Sequence, residues 1–175
     1  MSLDSDELAG VCDLFGGLTR EELAGAVADL AARRGDDHDR ESHDRAVADA
    51  REAYALLEVD PAGLGTLDAD ASLLVPGPRA FPVTPEGGED LPHLLDAPRR
   101  DVPSDAVETA LRARLAADVA ALDESGGDAD GEDESGDEAG IEAPDPAVLI
   151  DVTYDAAALT GTDFTDVRER IADAR

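Results

Sequence analysis

Residues 123–146 constrain the fold most, because this segment carries eleven acidic residues and no basic one. It begins DESGGDADGEDESGDEAG, and a stretch of this composition cannot bury enough apolar surface to offset the entropy of ordering. We therefore expect a disordered acidic linker at 123–146. It separates a helical core with a Pro-rich hairpin region, residues 1–122, from a strand–helix element at 147–175 that is expected to dock on the core.

The acidic excess extends over the rest of the chain, and all 175 residues together include 43 Asp and Glu residues, 14 Arg residues and no Lys. The net charge of -29 opposes compaction in dilute buffer, whereas molar salt screens the repulsion. The absence of Lys also removes weakly hydrated apolar stems, which concentrated salt drives to associate. These features predict a halophilic protein. Because the acids are spread along the chain, they favour solvation over an imitation of nucleic acid.

Composition also argues against several classes of protein. No apolar run approaches the ~18 residues of a membrane span, and the start MSLDSDELAG lacks the basic and apolar regions of a signal peptide. We therefore expect a cytoplasmic protein with no membrane partner. A single cysteine, Cys12, excludes an internal disulfide framework, and an aromatic content of 3% argues against a stacking platform for bases.

The first helix is predicted from an apolar stripe with helical spacing. It opens near Asp4 or Ser5 and stops at Gly16. Cys12 lies on this stripe, so we expect it to be buried as a small hydrophobic residue rather than exposed as a reactive thiol. The stripe consists of Leu8, Val11, Cys12 and Phe15.

Two further helices follow closely. Thr19 and Glu22 form a capping-box pattern that starts the second helix, and Gly35 ends it. A third helix is predicted to run as far as Asp60–Pro61. Three short, closely linked helices are typical of a helix-turn-helix core. The inner face of the third helix is predicted to contain Val47, Ala50, Tyr54 and Leu57.

The remaining sequence predicts a small sheet and three more helices. Residues 72–83 contain a turn signal between apolar runs and are predicted to form a β-hairpin. A helical turn is expected around 91–96, and a long helix from Ser104. The alternation over 148–154 predicts a strand that pairs with the hairpin, followed by a helix capped by Thr162. The predicted fold class is therefore α+β and helix-dominated, with a three-helix helix-turn-helix-like core.

Three blocks of the sequence carry a resemblance to a known family. They are LFGGLTREEL at Leu14–Leu23, VPGPRAFPVTPEGGEDLPHLLDAP at Val75–Pro98 and LIDVTYDAAAL at Leu149–Leu159. These blocks resemble an uncharacterised haloarchaeal protein family of unknown function. The resemblance covers most of the chain outside the acidic linker and implies a haloarchaeal source and an ordered domain. It implies no reaction and no functional residue.

Catalytic signatures are missing from the sequence, which contains no Walker A loop, no G-x-G-x-x-G, no G-x-S-x-G and no H-E-x-x-H. The consecutive residues Ser42, His43 and Asp44 point in different directions from a helix and so do not form a triad. We assign no catalytic, cofactor-binding or metal-binding residue from the sequence, and we expect no cofactor.

The three histidines remain as weak metal or acid–base candidates. His38 and His43 lie in DDHDRESHD, Asp36–Asp44, beside carboxylates that suit a divalent metal. Their separation is neither i+3 nor i+4, so both rings reach one ion only if a helix starts between them. The alternative is a solvated helix start whose acids complement the dipole. His93, in the Pro-rich block, is either an acid–base group or a packed or capping residue.

Three functions follow from these patterns. The leading hypothesis is a non-catalytic protein-interaction or regulatory module with an unidentified protein partner, because apolar helical stripes are present and a convergent reactive cluster is not. The alternative is a winged-helix DNA-binding transcription regulator, with the third helix as reader and residues 72–83 as wing. Acids at the start of that helix oppose phosphate contact, so nucleic acid is not the expected partner. A second alternative is a small metal-dependent hydrolase using His38, His43 or His93.

Overall fold

The computed structural model describes residues 3–62, 71–126 and 144–174, which contain seven helices and three strands. The predicted helix-dominated α+β class with a small sheet is confirmed. Contacts divide the chain into two compact units, Met1–Ala110 and Leu111–Arg175. In chain order the elements are α1 (Ser5–Phe15), β1 (Leu18–Thr19), α2 (Arg20–Arg34), α3 (Arg40–Glu52), β2 (Leu56–Val59), β3 (Leu73–Pro76), α4 (Leu91–Leu94), α5 (Ser104–Gly126), α6 (Pro146–Thr160) and α7 (Thr165–Asp173).

None of the helices in these three ranges combines the length and the apolar character that crossing a bilayer requires.

Local sequence signals set the boundaries of α1 and α2. Asp4 and Glu7 form a capping box at the start of α1, and Gly16 ends the helix in the left-handed conformation, with φ of 71°. Thr19 and Glu22 form the predicted capping box at the start of α2. The predicted apolar stripe of α1 is fully buried in the core of the first unit, as are its neighbours on α2: Leu8, Val11, Cys12, Phe15, Leu23, Val27 and Leu30.

The sheet is antiparallel, with strand order β1-β3-β2. On one side of β3, Leu74 pairs with Leu18, and on the other side Leu73 pairs with Val59. The predicted hairpin at 72–83 is therefore wrong. Its first half does form a strand, but both neighbours of that strand come from earlier in the chain, and residues 77–85 contain no strand.

The third helix is shorter than predicted, because it ends at Glu52. The strand β2, Leu56–Val59, occupies residues that were predicted to form the last turn of the helix. The chain leaves the helix through a Schellman motif. The N–H of Tyr54 donates to Arg51 O at 3.1 Å, and the N–H of Ala55 donates to Ala50 O at 2.9 Å. Tyr54 occupies the left-handed region with φ of 60°, which is uncommon for a residue with a β-carbon. This reversal turns the chain into β2.

The order α1-β1-α2-α3-β2-β3, with a sheet in the order β1-β3-β2, is the arrangement of a winged helix-turn-helix. In that arrangement the wing is the connection between β2 and β3. In this chain the connection is residues 60–72, and the wing predicted at 72–83 includes the strand β3. Residues 63–70 lie outside the part of the chain that the structure describes.

A Pro-rich segment, residues 77–103, follows β3, and we refer to it as the belt. Its N–H groups at Phe81 and Val83 donate to Asp6, the first to Oδ1 at 2.9 Å and the second to the main-chain oxygen at 3.0 Å. A β-carbon on Gly10 would lie 2.0 Å from Val83 O, so only glycine allows this approach. The belt therefore lies directly against α1.

The second unit contains the C-terminal part of α5 together with α6 and α7. The strand predicted at 148–154 is wrong, because these residues are helical. Asp145 caps α6 by accepting from Ala147 N at 2.8 Å, Pro146 occupies the first turn, and Gly161 ends the helix with φ of 73°. The buried residues of α6 are Leu149, Val152, Thr153 and Ala156, which follow the spacing i, i+3, i+4, i+7.

The last helix begins at Thr165, with Phe164 at its N-cap position in place of the predicted Thr162. Helix α5 extends through residues 123–126, the first four residues of the predicted linker. The rest of the predicted linker, from 127 to 143, lies outside the described residues. The buried positions of α5 and of the α7 segment within this unit are Leu111, Leu115, Val119, Leu122, Phe164, Val167 and Ile171.

Candidate functional site

The exposed side of α3 carries arginines that are paired with carboxylates. Each guanidinium of this helix lies within ion-pair distance of an Asp or Glu, two of them one turn away on α3 and the third on β2. A DNA-reading helix instead presents guanidinium groups to phosphates and base edges. The pairs are Arg40–Asp44 at 3.3 Å, Arg45–Glu41 at 3.1 Å and Arg51–Glu58 at 2.6 Å.

The turn that leads into α3 is also acidic, and we call residues 36–39 the acidic turn. Asp36, Asp37 and Asp39 are all exposed there. The Asp39 carboxylate caps the helix by accepting from the Ser42 hydroxyl at 2.5 Å and from Ser42 N at 3.1 Å. These hydrogen bonds hold the pKa of Asp39 below its usual range. The entrance to α3 therefore stays anionic.

His38 and His43 come together at this entrance because α3 begins at Arg40, between them. Their ring centroids are 5.6 Å apart, with the planes inclined by 60°. His43 is only 4% exposed, and its burial, reinforced by the neighbouring His38, lowers its pKa. In the described part of the chain, His38 Nδ1 is a buried side-chain atom with no hydrogen-bond partner. The condition that the sequence spacing sets for a shared ion, a helix start between the two rings, is met.

The other sequence candidates do not join this pair. His93 lies exposed in α4. Over residues 3–62, 71–126 and 144–174, no three side chains of His, Cys, Asp or Glu are arranged to hold a metal ion. The Ser42 hydroxyl donates to the capping Asp39, as described above, which is a structural role.

A buried ion pair, not foreseen from the sequence, fastens the belt to the start of α2. The Arg100 side chain is 3% exposed and donates to both oxygens of Glu22 at 2.8 Å and to Gly17 O at 3.0 Å. Partial burial raises the pKa of Glu22, but hydrogen bonds from Arg100 and Thr19, with the Arg100 charge, outweigh it and leave the pKa lowered. The capping box already accounts for Glu22 locally, so nothing in the sequence points to a partner 78 residues away.

The belt also presents apolar side chains to solvent. Phe81 is 78% exposed and Val83 is 52% exposed, although their main-chain N–H groups are held by Asp6. The other two phenylalanines of the chain are fully buried. An exposed aromatic side chain on a fastened backbone is an arrangement that suits contact with another molecule.

These features define a helix-dominated α+β protein with a small three-stranded sheet, whose third helix is anionic and internally paired. The chain belongs to the Family of unknown function (DUF7109), which it matches over residues 6–175. The predicted resemblance to an uncharacterised family is confirmed to that extent. No curated protein and no solved structure matches the chain.

Proposed function

We propose that this chain is a non-catalytic regulatory module that binds a protein partner through α3 and the acidic turn. The observation that supports this most directly is that Arg40, Arg45 and Arg51 are each paired with a carboxylate. Residues 36–52 carry seven acids against these three arginines, so the surrounding potential is negative. A protein surface bearing arginine suits this face better than a phosphate backbone does.

The acidic composition supports a halophilic cytoplasm as the setting for this contact. Molar salt screens charge attraction, so an ionic face alone would hold a partner weakly there. Apolar contacts strengthen under the same conditions. Phe81 and Val83 on the belt therefore offer an apolar complement to the charged face of α3 for a partner large enough to reach both.

The element and sheet order favour a second candidate, a DNA-binding transcription regulator, because this arrangement places α3 as a recognition helix. DNA binding would require the arginines of α3 to exchange their carboxylates for phosphates. Within residues 3–62, 71–126 and 144–174, no group of three metal-ligating side chains favours the hydrolase alternative over these two.

Site-specific photo-crosslinking separates the two candidates. A benzoylphenylalanine probe replaces Ala48, an exposed and uncharged residue of α3, in full-length protein mixed with native lysate in about 2 M KCl, where the Debye length is a few ångströms. We expect one discrete crosslinked protein species. Charge reversal by Glu41→Arg with Asp49→Arg should abolish it. The matched control carries the probe at Ala172, an exposed residue of α7.

A DNA selection in the same salt completes the test. Random-sequence duplex fragments should show no enrichment on the immobilised protein. Sequence-selective enrichment without a crosslinked protein would overturn the proposal in favour of the DNA regulator. A crosslinked species that survives charge reversal, or that forms equally from Ala172, would show that the face of α3 is not the binding surface.

A further inference from the structure

We propose that His38 and His43 together bind one divalent transition-metal ion at the turn between α2 and α3. This site does not depend on the partner contact of α3. It uses two side chains that the local fold brings together, one just before the cap of α3 and one in its first turn.

The separation of the rings fits a shared ion. An imidazole nitrogen binds Zn²⁺ at about 2.0–2.1 Å, and the ring centre lies about 1.1 Å farther out, so two rings at a tetrahedral ion have centroids about 5.2 Å apart. The observed separation of the His38 and His43 centroids is 5.6 Å. This separation is wider than the tetrahedral value by about 0.4 Å.

The orphaned nitrogen of His38 is the second observation. Buried polar atoms in proteins nearly always have a partner, and an atom without one calls for a bound water or an ion. His38 Nδ1 is buried and unpartnered in the described residues, and it belongs to a ring next to the buried imidazole of His43.

The donor set selects the kind of ion. Two imidazole nitrogens suit Zn²⁺, Ni²⁺, Cu²⁺ or Co²⁺, whereas Mg²⁺ and Ca²⁺ prefer oxygen ligands. With two protein ligands, the remaining coordination positions belong to water. An ion held this way would link the acidic turn to the first turn of α3 and stiffen that junction.

Isothermal titration calorimetry tests the site. The full-length protein, first treated with a chelator, is titrated with NiCl₂ near neutral pH in concentrated KCl. We expect one Ni²⁺ ion per chain, with no competition from excess Mg²⁺. His38→Asn and His43→Asn should each weaken binding by more than about tenfold, while His93→Asn, which changes an exposed histidine outside the pair, should leave it unchanged. Circular dichroism reports whether each variant is folded.

A second measurement covers the case in which the buried His43 variant does not fold. Long-range ¹H–¹⁵N spectra of the wild-type protein should show the ring nitrogens of His38 and His43 shifting together on addition of Zn²⁺, with His93 unmoved. Shifts confined to one ring, or affinity equal in wild type and the His38 variant, would overturn the proposal. Multiple weak sites insensitive to all three variants would assign the binding to surface carboxylates and overturn it as well.

Discussion

Removing the Arg100 side chain should destabilise the first unit strongly, because Arg100→Ala leaves the hydrogen-bond acceptors of a buried cation without their donor. Glu22 would lose two charge-assisted hydrogen bonds of 2.8 Å, and Gly17 O would lose one of 3.0 Å. Removing one member of a buried ion pair costs about 3–5 kcal/mol. Glu22 is 24% exposed and still accepts a hydrogen bond from the N–H of Thr19. Water can therefore replace part of the hydrogen bonding that the carboxylate loses. We expect a decrease of about 3 kcal/mol in the free energy of unfolding, at the lower end of that range.

Urea unfolding followed by circular dichroism in concentrated KCl measures this decrease. The matched control is Arg99→Ala, which removes an exposed arginine from the neighbouring position. A surface change of this kind alters stability by about 0.5 kcal/mol or less. If Arg100→Ala lies within that margin of Arg99→Ala, the pair does not stabilise the fold and the reasoning is refuted.

The same pair sets a dependence on pH. The pKa of Glu22 is lower in the folded chain than its ordinary value of about 4.3. Its stabilisation is therefore complete above that ordinary value and disappears as pH falls through the folded value. Unfolding curves from pH 6 to pH 3 should show a loss of stability in the wild type that is smaller in Arg100→Ala. Equal losses in the two proteins would contradict the assignment.

Three further results are expected. Gly10→Ala should lower the free energy of unfolding by about 2 kcal/mol or more, because the new β-carbon meets Val83 O. Gly25→Ala, in the middle of α2 with nothing within 4 Å of the new β-carbon, should raise it by about 0.5–1 kcal/mol. Chemical unfolding of both variants compares the two effects directly. Burial raises the pKa of the Cys12 thiol, so it should react with Ellman's reagent only under unfolding conditions, and rapid labelling of the native protein would contradict its buried position. Dialysis into dilute buffer should loosen the fold as judged by circular dichroism, and an unchanged spectrum would require another cause for the net charge of -29.

Helix ends were predictable where the determining groups are neighbours in sequence. The capping box of Thr19 and Glu22 and the left-handed Gly16 and Gly35 act within one turn, so their residue types alone define the boundaries of α1 and α2. The burial of Cys12 was predictable for the same reason, because helical spacing places it on the apolar stripe.

The secondary-structure predictions were wrong where the local sequence pattern and the tertiary contacts favour different structures. Alternating side chains at 148–154 satisfy a strand pattern, yet the same segment holds an i, i+3, i+4, i+7 set that buries one helical face. Asp145, Pro146 and Gly161 were the available helix signals. At the end of α3, pairing of Leu56–Val59 with β3 outweighs continuation of the helix, and Tyr54 adopts a conformation that its residue type disfavours.

The candidate site divides in the same way. From residue types alone, the acidic entrance to α3 and the requirement that a helix start between His38 and His43 were already evident, because charge and helical spacing are local properties. The pairing of Arg100 with Glu22 and the exposure of Phe81 depend on which segments fold against each other. Long-range contacts of this kind are set by the packing of the whole unit, so the residues next to them in the sequence do not predict them.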